Sequence, residues 1–173
     1  SWQPDEDLFI EYFNQHPEVK LIIAPHVIDE NHLVEIIRKL KRPYVRYTRA
    51  DEKNVRKADC LIIDCFGLLS SIYRYGEIAY IGGGFGVGIH NTLEAAVYGI
   101  PVIFGPKYQK FQEAIQLLEA KGAFSVKDYE ELKTLLDRML TDEVFLRESG
   151  MNASNYVTSN AGATDKIMSM INF

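Results

Sequence analysis

Tyr80 to Pro106 reads YIGGGFGVGIHNTLEAAVYGIPVIFGP. Ile78 to Ile81 is a short apolar run rich in β-formers, the signal of a buried strand. It stops at Gly82-Gly83-Gly84, and with Gly86 and Gly88 the turn holds five glycines in seven residues. Such a turn admits positive φ and leaves no Cβ between backbone and ligand. His90-Asn91-Thr92-Leu93-Glu94 then opens a helix, with Asn91 as N-cap and Glu94 at capping-box spacing. Gly99 fits the position just past the helix, and Pro101 to Phe104 is the next strand, closed by Gly105-Pro106. A glycine-rich turn that feeds a helix start collects free N–H groups and the positive end of the helix dipole, so its natural occupant is a phosphate. The spacing is neither the G-x-G-x-x-G dinucleotide fingerprint nor a Walker A loop.

Outward from this stretch, strands and helices alternate. Towards the N-terminus come a helix from Pro4 to Phe13, a strand from Val19 to Ala24 and a helix from Asp29 to about Leu40. A short strand Tyr44 to Tyr47, a turn or short helix Asp51 to Arg56, a strand Ala58 to Asp64 and a helix Leu68 to Tyr75 follow. After Pro106 come a loop Lys107 to Lys110, a helix Phe111 to Lys121 and a strand Ala123 to Val126. Helices are expected over Tyr129 to Leu140, Asp142 to Thr158 with a kink at Gly150, and Ala163 to Phe173. This alternation predicts an α/β fold, a Rossmann-like α/β/α sandwich with a parallel sheet of about six strands, in a single domain. Ligands bind beyond the C-terminal ends of such strands. The turns at Pro25, Phe66, Gly84 and Gly105 all lie at such ends and are expected to converge on one cleft.

Composition narrows the function classes. The chain has 173 residues and a net charge of −5, which argues against nucleic-acid binding. Cys60 and Cys65 read as small buried hydrophobes, without zinc-like spacing or a disulfide framework, so a reducing cytosol is the default. There is no signal peptide and no apolar run long enough to span a bilayer, so the chain itself is expected to be soluble. It opens on Ser1-Trp2-Gln3-Pro4 without methionine, which suggests a piece excised from a longer protein. The segment Arg38 to Lys57 carries nine Lys and Arg against two acids. That run fits a solvated surface or an anionic membrane face.

Several side chains have two readings. His26, after the first strand, is a turn residue or a phosphate or base contact, and Pro25 beside it offers a flat apolar face. Glu94 caps its own helix or holds a ribose diol with the same oxygens. His90 sits where it can donate to a phosphate. Asp64 is expected to bond the backbone of its own turn. No general base stands out besides His26, His90 and Glu94, and no Asp-x-Asp metal motif precedes the glycine turn.

The run Gly82-Gly83-Gly84-Phe85 … Gly88-Ile89-His90-Asn91-Thr92-Leu93-Glu94-Ala95-Ala96 … Gly99-Ile100-Pro101-Val102 … Gly105-Pro106 resembles the signature of 3-deoxy-D-manno-octulosonic acid (Kdo) transferases. Ala24-Pro25-His26 and Asp64-Cys65-Phe66-Gly67-Leu68-Leu69 are similar to two further turns of that family, and Tyr73 falls where it has a tyrosine. The resemblance covers roughly Val19 to Gln112. Gly84 stands where the family has Ser, Leu68 where it has Glu, and Ile89 where it has Gly.

The resemblance implies the C-terminal, donor-binding domain of a GT-B glycosyltransferase, with the N-terminal acceptor domain outside this chain. The donor would be CMP-Kdo, and the acceptor the lipid A precursor of lipopolysaccharide biosynthesis. No cofactor and no metal are implied. The full-length enzyme would sit at the cytoplasmic face of the bacterial inner membrane, with the catalytic base and the membrane anchor in the other half. By the same resemblance Gly83, Gly84, His90 and Asn91 surround the donor phosphate and Glu94 holds the ribose. Pro25 and His26 flank the nucleotide, and the Gly67-Leu68 turn meets the cytosine. The chain alone is then expected to bind CMP but transfer no sugar. The alternatives are a GT-B domain for a UDP-sugar, in a glycosyltransferase or a 2-epimerase, and a non-enzymatic nucleotide-binding domain.

Overall fold

A computed structural model describes residues 1–86 and 88–161. The helix expected over Ala163 to Phe173 lies outside the described residues. Eight α-helices and six short strands alternate along the described chain: α1 Gln3–Gln15, β1 Leu21–Ile23, α2 Glu30–Lys39, β2 Tyr44–Arg46, α3 Glu52–Val55, β3 Cys60–Ile62 and α4 Leu69–Ile72. They continue as β4 Ala79–Ile81, α5 Leu93–Ala96, β5 Val102–Phe104, α6 Gln112–Glu119, β6 Ala123–Ser125, α7 Tyr129–Thr141 and α8 Glu143–Asn160. Single 3-10 turns extend β2 and α4.

All strand pairs are parallel, but the six strands fall into two sheets of three rather than one of six, in the orders β1-β3-β2 and β4-β5-β6. The chain therefore builds outward in one direction from β1 and in the other from β4. The second sheet is covered on both faces. Ala95, Ala114, Leu117 and Ala153 pack on Val102 and Phe104 on one side, and Leu132 and Met139 pack with Ile103 on the other. The first sheet buries Ile23, Cys60 and Ile62 against Ile10, Phe13, Leu33 and Ile36 of α1 and α2. Its opposite face is thinly covered, and Ile22 remains 37% exposed. Helix α1 joins the halves: Ile10 and Phe13 belong to the first core, while Leu8 and Phe9 pack with Tyr80 and Ile103 of the second.

Local chemistry explains the helix ends. Asp29 caps α2 and Asp51 caps α3 by accepting backbone N–H groups. Helix α8 passes through Gly150, where a kink was expected. A Cβ on Gly150 would lie 2.1 Å from the Gly99 carbonyl oxygen, so glycine lets α8 close on the turn after α5. Among the described residues no helix is long and apolar enough to cross a membrane.

Candidate functional site

The C-terminal ends of β1 and β4 meet through three aromatic rings. His26 follows β1, His90 follows β4 and the glycine turn, and their rings stack at 4.7 Å. Trp2 lies 4.5 Å from His26 and donates its Nε1–H to His90 Nε2 at 3.0 Å. That bond makes Nε2 the acceptor, so a neutral His90 carries its proton on Nδ1. Burial lowers the His90 pKa, His26 lowers it further, and Asp5 opposes them. Pro25 is buried and His26 exposed.

The glycine turn is tightly folded on itself. Gly83 has φ +97°, and a Cβ there would lie 2.2 Å from the Gly88 carbonyl oxygen, so no other residue fits. Gly84 lies against the Gly105 turn, where a Cβ would come 2.5 Å from the Gly105 nitrogen, and the Gly84 carbonyl accepts from the Lys107 amide. The turns of Pro25, Gly84 and Gly105 therefore do converge. Phe66, in the turn after β3, is 82% exposed. Tyr73, which ends α4, feels the Glu94 carboxylate, and burial and that charge push its phenol up to about 12.

The amides around the turn divide into engaged and free ones, and those of Gly84, Asn91 and Thr92 are free among the described residues. The Gly83 amide is already bonded to Asp5 Oδ2 at 2.8 Å, Gly86 and Gly88 donate to the Gly83 carbonyl, and His90 donates to the Gly82 carbonyl. The amides of Gly82, Gly84, Phe85, Ile89, Asn91 and Thr92 donate to no acceptor among the described residues. The capping box needs correction. Helix α5 is four residues long with Thr92 at its N-cap; Asn91 Oδ1 accepts from the Leu93 amide, and Asn91 Nδ2 donates to Glu94 Oε1. The Glu94 carboxylate is thus held by a side-chain amide rather than by its helix, and Oε2 has no partner among the described residues.

Asp64 also departs from expectation. Its partners are the Thr48 amide at 2.9 Å, the Thr48 hydroxyl at 2.6 Å and Arg46 Nε at 2.8 Å, not its own turn. Burial alone would raise this carboxyl, but the bonds from Thr48 and Arg46 hold it down to about 2. Arg46 also reaches Glu30, and Lys39 pairs with Asp7, so part of the basic segment Arg38 to Lys57 is engaged within the fold. Cys60 is buried, which pushes its thiol up to about 12, and Cys65 is partly exposed.

Sequence reasoning missed Trp2, Asp5 and a recess of about 220 Å3 beside the turn, lined by Gly86, Gly88, Lys107, Gln109, Lys110 and Phe111. The lysine pair was legible as charge, but nothing in the loop's composition places it against the glycines. Trp2 lies 88 residues from His90, so no local pattern signals their contact.

No family model matches the chain. Over 135 residues it is 36% identical to a 3-deoxy-D-manno-octulosonic acid transferase of Aquifex aeolicus, covering 77% of this chain and 37% of the relative. A bifunctional glycosyltransferase/methyltransferase of Fusobacterium nucleatum is 28% identical over 164 residues, covering 88% of this chain and 26% of that protein. The chain thus spans little more than a third of these relatives at most. Among solved structures, the C-terminal CMP-Kdo binding domain of WaaA from Acinetobacter baumannii superposes with a TM-score of 0.75 at 20% identity, covering 91% of this chain and 85% of that one. The fold is that of the C-terminal domain of a GT-B glycosyltransferase.

Proposed function

We infer from its kinship with the 3-deoxy-D-manno-octulosonic acid transferases that this chain is the donor-binding half of such an enzyme. In this reading it holds CMP-Kdo while a second, N-terminal domain presents the lipid A precursor and the catalytic base. The full-length protein works at the cytoplasmic face of the inner membrane and needs no metal at the donor.

One observation carries the reading. Strand order runs outward in opposite directions from β1 and from β4, and at their C-terminal ends His26, His90, Trp2 and the glycine turn come together. This is the switch point at which open α/β sheets bind nucleotides. The amides of Asn91 and Thr92 face no internal acceptor and suit a phosphoryl oxygen. With Nε2 engaged by Trp2, the Nδ1–H of His90 is the hydrogen this ring has left to give that oxygen. Glu94 Oε2 takes the ribose diol, and Lys107 and Lys110 add positive charge beside the turn. As the glycosidic bond to phosphate breaks, these groups stabilise the negative charge that grows on the departing CMP. The acceptor hydroxyl attacks the anomeric carbon from the other domain's side, with inversion.

Calorimetric titration with CMP and with UDP tests the reading. CMP is expected to bind preferentially, and clear preference for UDP would reject it in favour of a UDP-sugar domain. His90→Ala is expected to weaken CMP by about tenfold, the loss of one charge-assisted hydrogen bond. Kdo transfer by this chain alone would contradict the division of labour.

A further inference from the structure

Two side chains at the start of α5 act on one another, and their bonds fix what each can do. Asn91 Oδ1 accepts from the Leu93 amide at 3.0 Å, and Asn91 Nδ2 donates to Glu94 Oε1 at 3.1 Å. A backbone N–H can only donate, so the end of the Asn91 side chain that meets Leu93 is its oxygen. The end that meets Glu94 is then its NH2 group, a donor facing a carboxylate.

Helix α5 gives Glu94 a firm base. Ala95 and Ala96 are fully buried on the second sheet, so the backbone beside Glu94 is held by packing. What remains to be fixed is a long side chain, and ordering such a chain is costly. Helix capping does not claim the carboxylate, because Asn91 has taken the Leu93 amide and Glu94 accepts no backbone N–H among the described residues. Among the described residues no Lys, Arg or His pairs with Glu94 either. A half-buried carboxylate with one oxygen steadied and the other open suits two neutral donors, such as the hydroxyls of a diol.

We propose that the Asn91 side chain is a positioning residue, which caps α5 with its oxygen, aims Glu94 with its nitrogen, and thereby sets a preference for ribonucleotides over 2′-deoxyribonucleotides. This rests on the reading above that Glu94 takes the ribose diol. It gives the Asn91 side chain a task other than contact with the phosphate, which its free backbone amide can serve. Both ends of the side-chain amide are needed: an aspartate would keep the acceptor for Leu93, lose the donor and set a like charge against Glu94. By steadying Glu94 before the nucleotide arrives, Asn91 spares binding the cost of ordering that side chain.

The test is calorimetric titration of the chain and its variants with CMP, 2′-deoxyCMP and cytidine. The unaltered chain is expected to bind CMP about tenfold or more tighter than 2′-deoxyCMP, the worth of a hydrogen bond to a charged group. Asn91→Asp is expected to bring that ratio below about threefold, Glu94→Ala to do the same, and the double variant to add nothing further. Both nucleotides carry the same phosphate, so the charge that Asn91→Asp adds beside it cancels in the ratio. Mere loosening of α5 would weaken both ligands alike and leave the ratio standing. A ratio that survives Asn91→Asp but not Glu94→Ala would therefore overturn the proposal. A fall in the CMP-to-cytidine ratio with the ribose preference intact would overturn it too, and return the side chain to the phosphate. Discrimination that survives Glu94→Ala, or none in the unaltered chain, would instead reject the ribose reading on which the proposal stands. Asn91→Ala, which adds no charge, decides the same question should circular dichroism show Asn91→Asp to be misfolded.

Discussion

The two halves of the molecule are held together by different means. In the β4-β5-β6 half, Val102, Ile103 and Phe104 are fully buried, both sheet faces are covered by helices, and backbones close to van der Waals contact at Gly84 against Gly105 and Gly150 against Gly99. In the β1-β3-β2 half the strands are partly open and polar groups do much of the joining. Arg42 donates to the carbonyls of Phe13, His16, Pro17 and Val19 and lies 4.0 Å over the Phe13 ring. Arg46, Asp64, Thr48 and Glu30 form a second such knot. The apolar half gives the glycine turn a rigid seat, and the polar half brings up the His26 turn. A site assembled from both inherits its position from dispersion and burial on one side and from directional bonds on the other.

Substitutions can break this contrast, and the largest effect belongs to the apolar half. Phe104→Ala is expected to cost about 3–5 kcal/mol, as for other fully buried aromatics, in a urea or guanidinium melt. A loss under about 1 kcal/mol would mean that this half is not the rigid one. Arg42→Ala strands several carbonyls together and is expected to cost about 2 kcal/mol by the same melt. High salt should leave that loss largely intact, because most of it is hydrogen bonding to carbonyls rather than ion pairing.

The smallest effect sharpens the comparison through pH. The Asp64 carboxyl is held at about 2 in the folded chain against 3.8 ordinarily. A depressed folded value adds stability that is present above the unfolded pKa and lost as pH falls through the folded one, so the loss runs from about pH 4 to about pH 2. Asp64→Asn should flatten this part of the stability profile, and an unchanged acid limb would show that the Thr48–Arg46 knot carries no linkage.

Much of this was legible before any coordinates. Every strand and helix expected within the described residues is present, because hydrophobic runs bounded by Gly, Pro and capping residues report local periodicity directly. The strands came out shorter than the apolar runs, three residues each, since only part of each run pairs. His26 and His90 were singled out from their places after two strands, and the rings do stack. Legibility failed wherever a partner is remote in sequence. Asp5 takes the Gly83 amide from 78 residues away, and Asp64 bonds residues 16 and 18 positions back.

The amino-acid sequence alone determined the alternation of strands and helices, the glycine turn and its place at a strand's end, because these depend on backbone freedom and on hydrophobic period over a few neighbouring residues. Only the tertiary structure decided which amides of that turn stay free, that Trp2 sets the His90 tautomer, and that the sheet divides in two beside Ser1. Those outcomes turn on which distant groups compete for the same hydrogen bonds, and that competition exists only once the chain has packed.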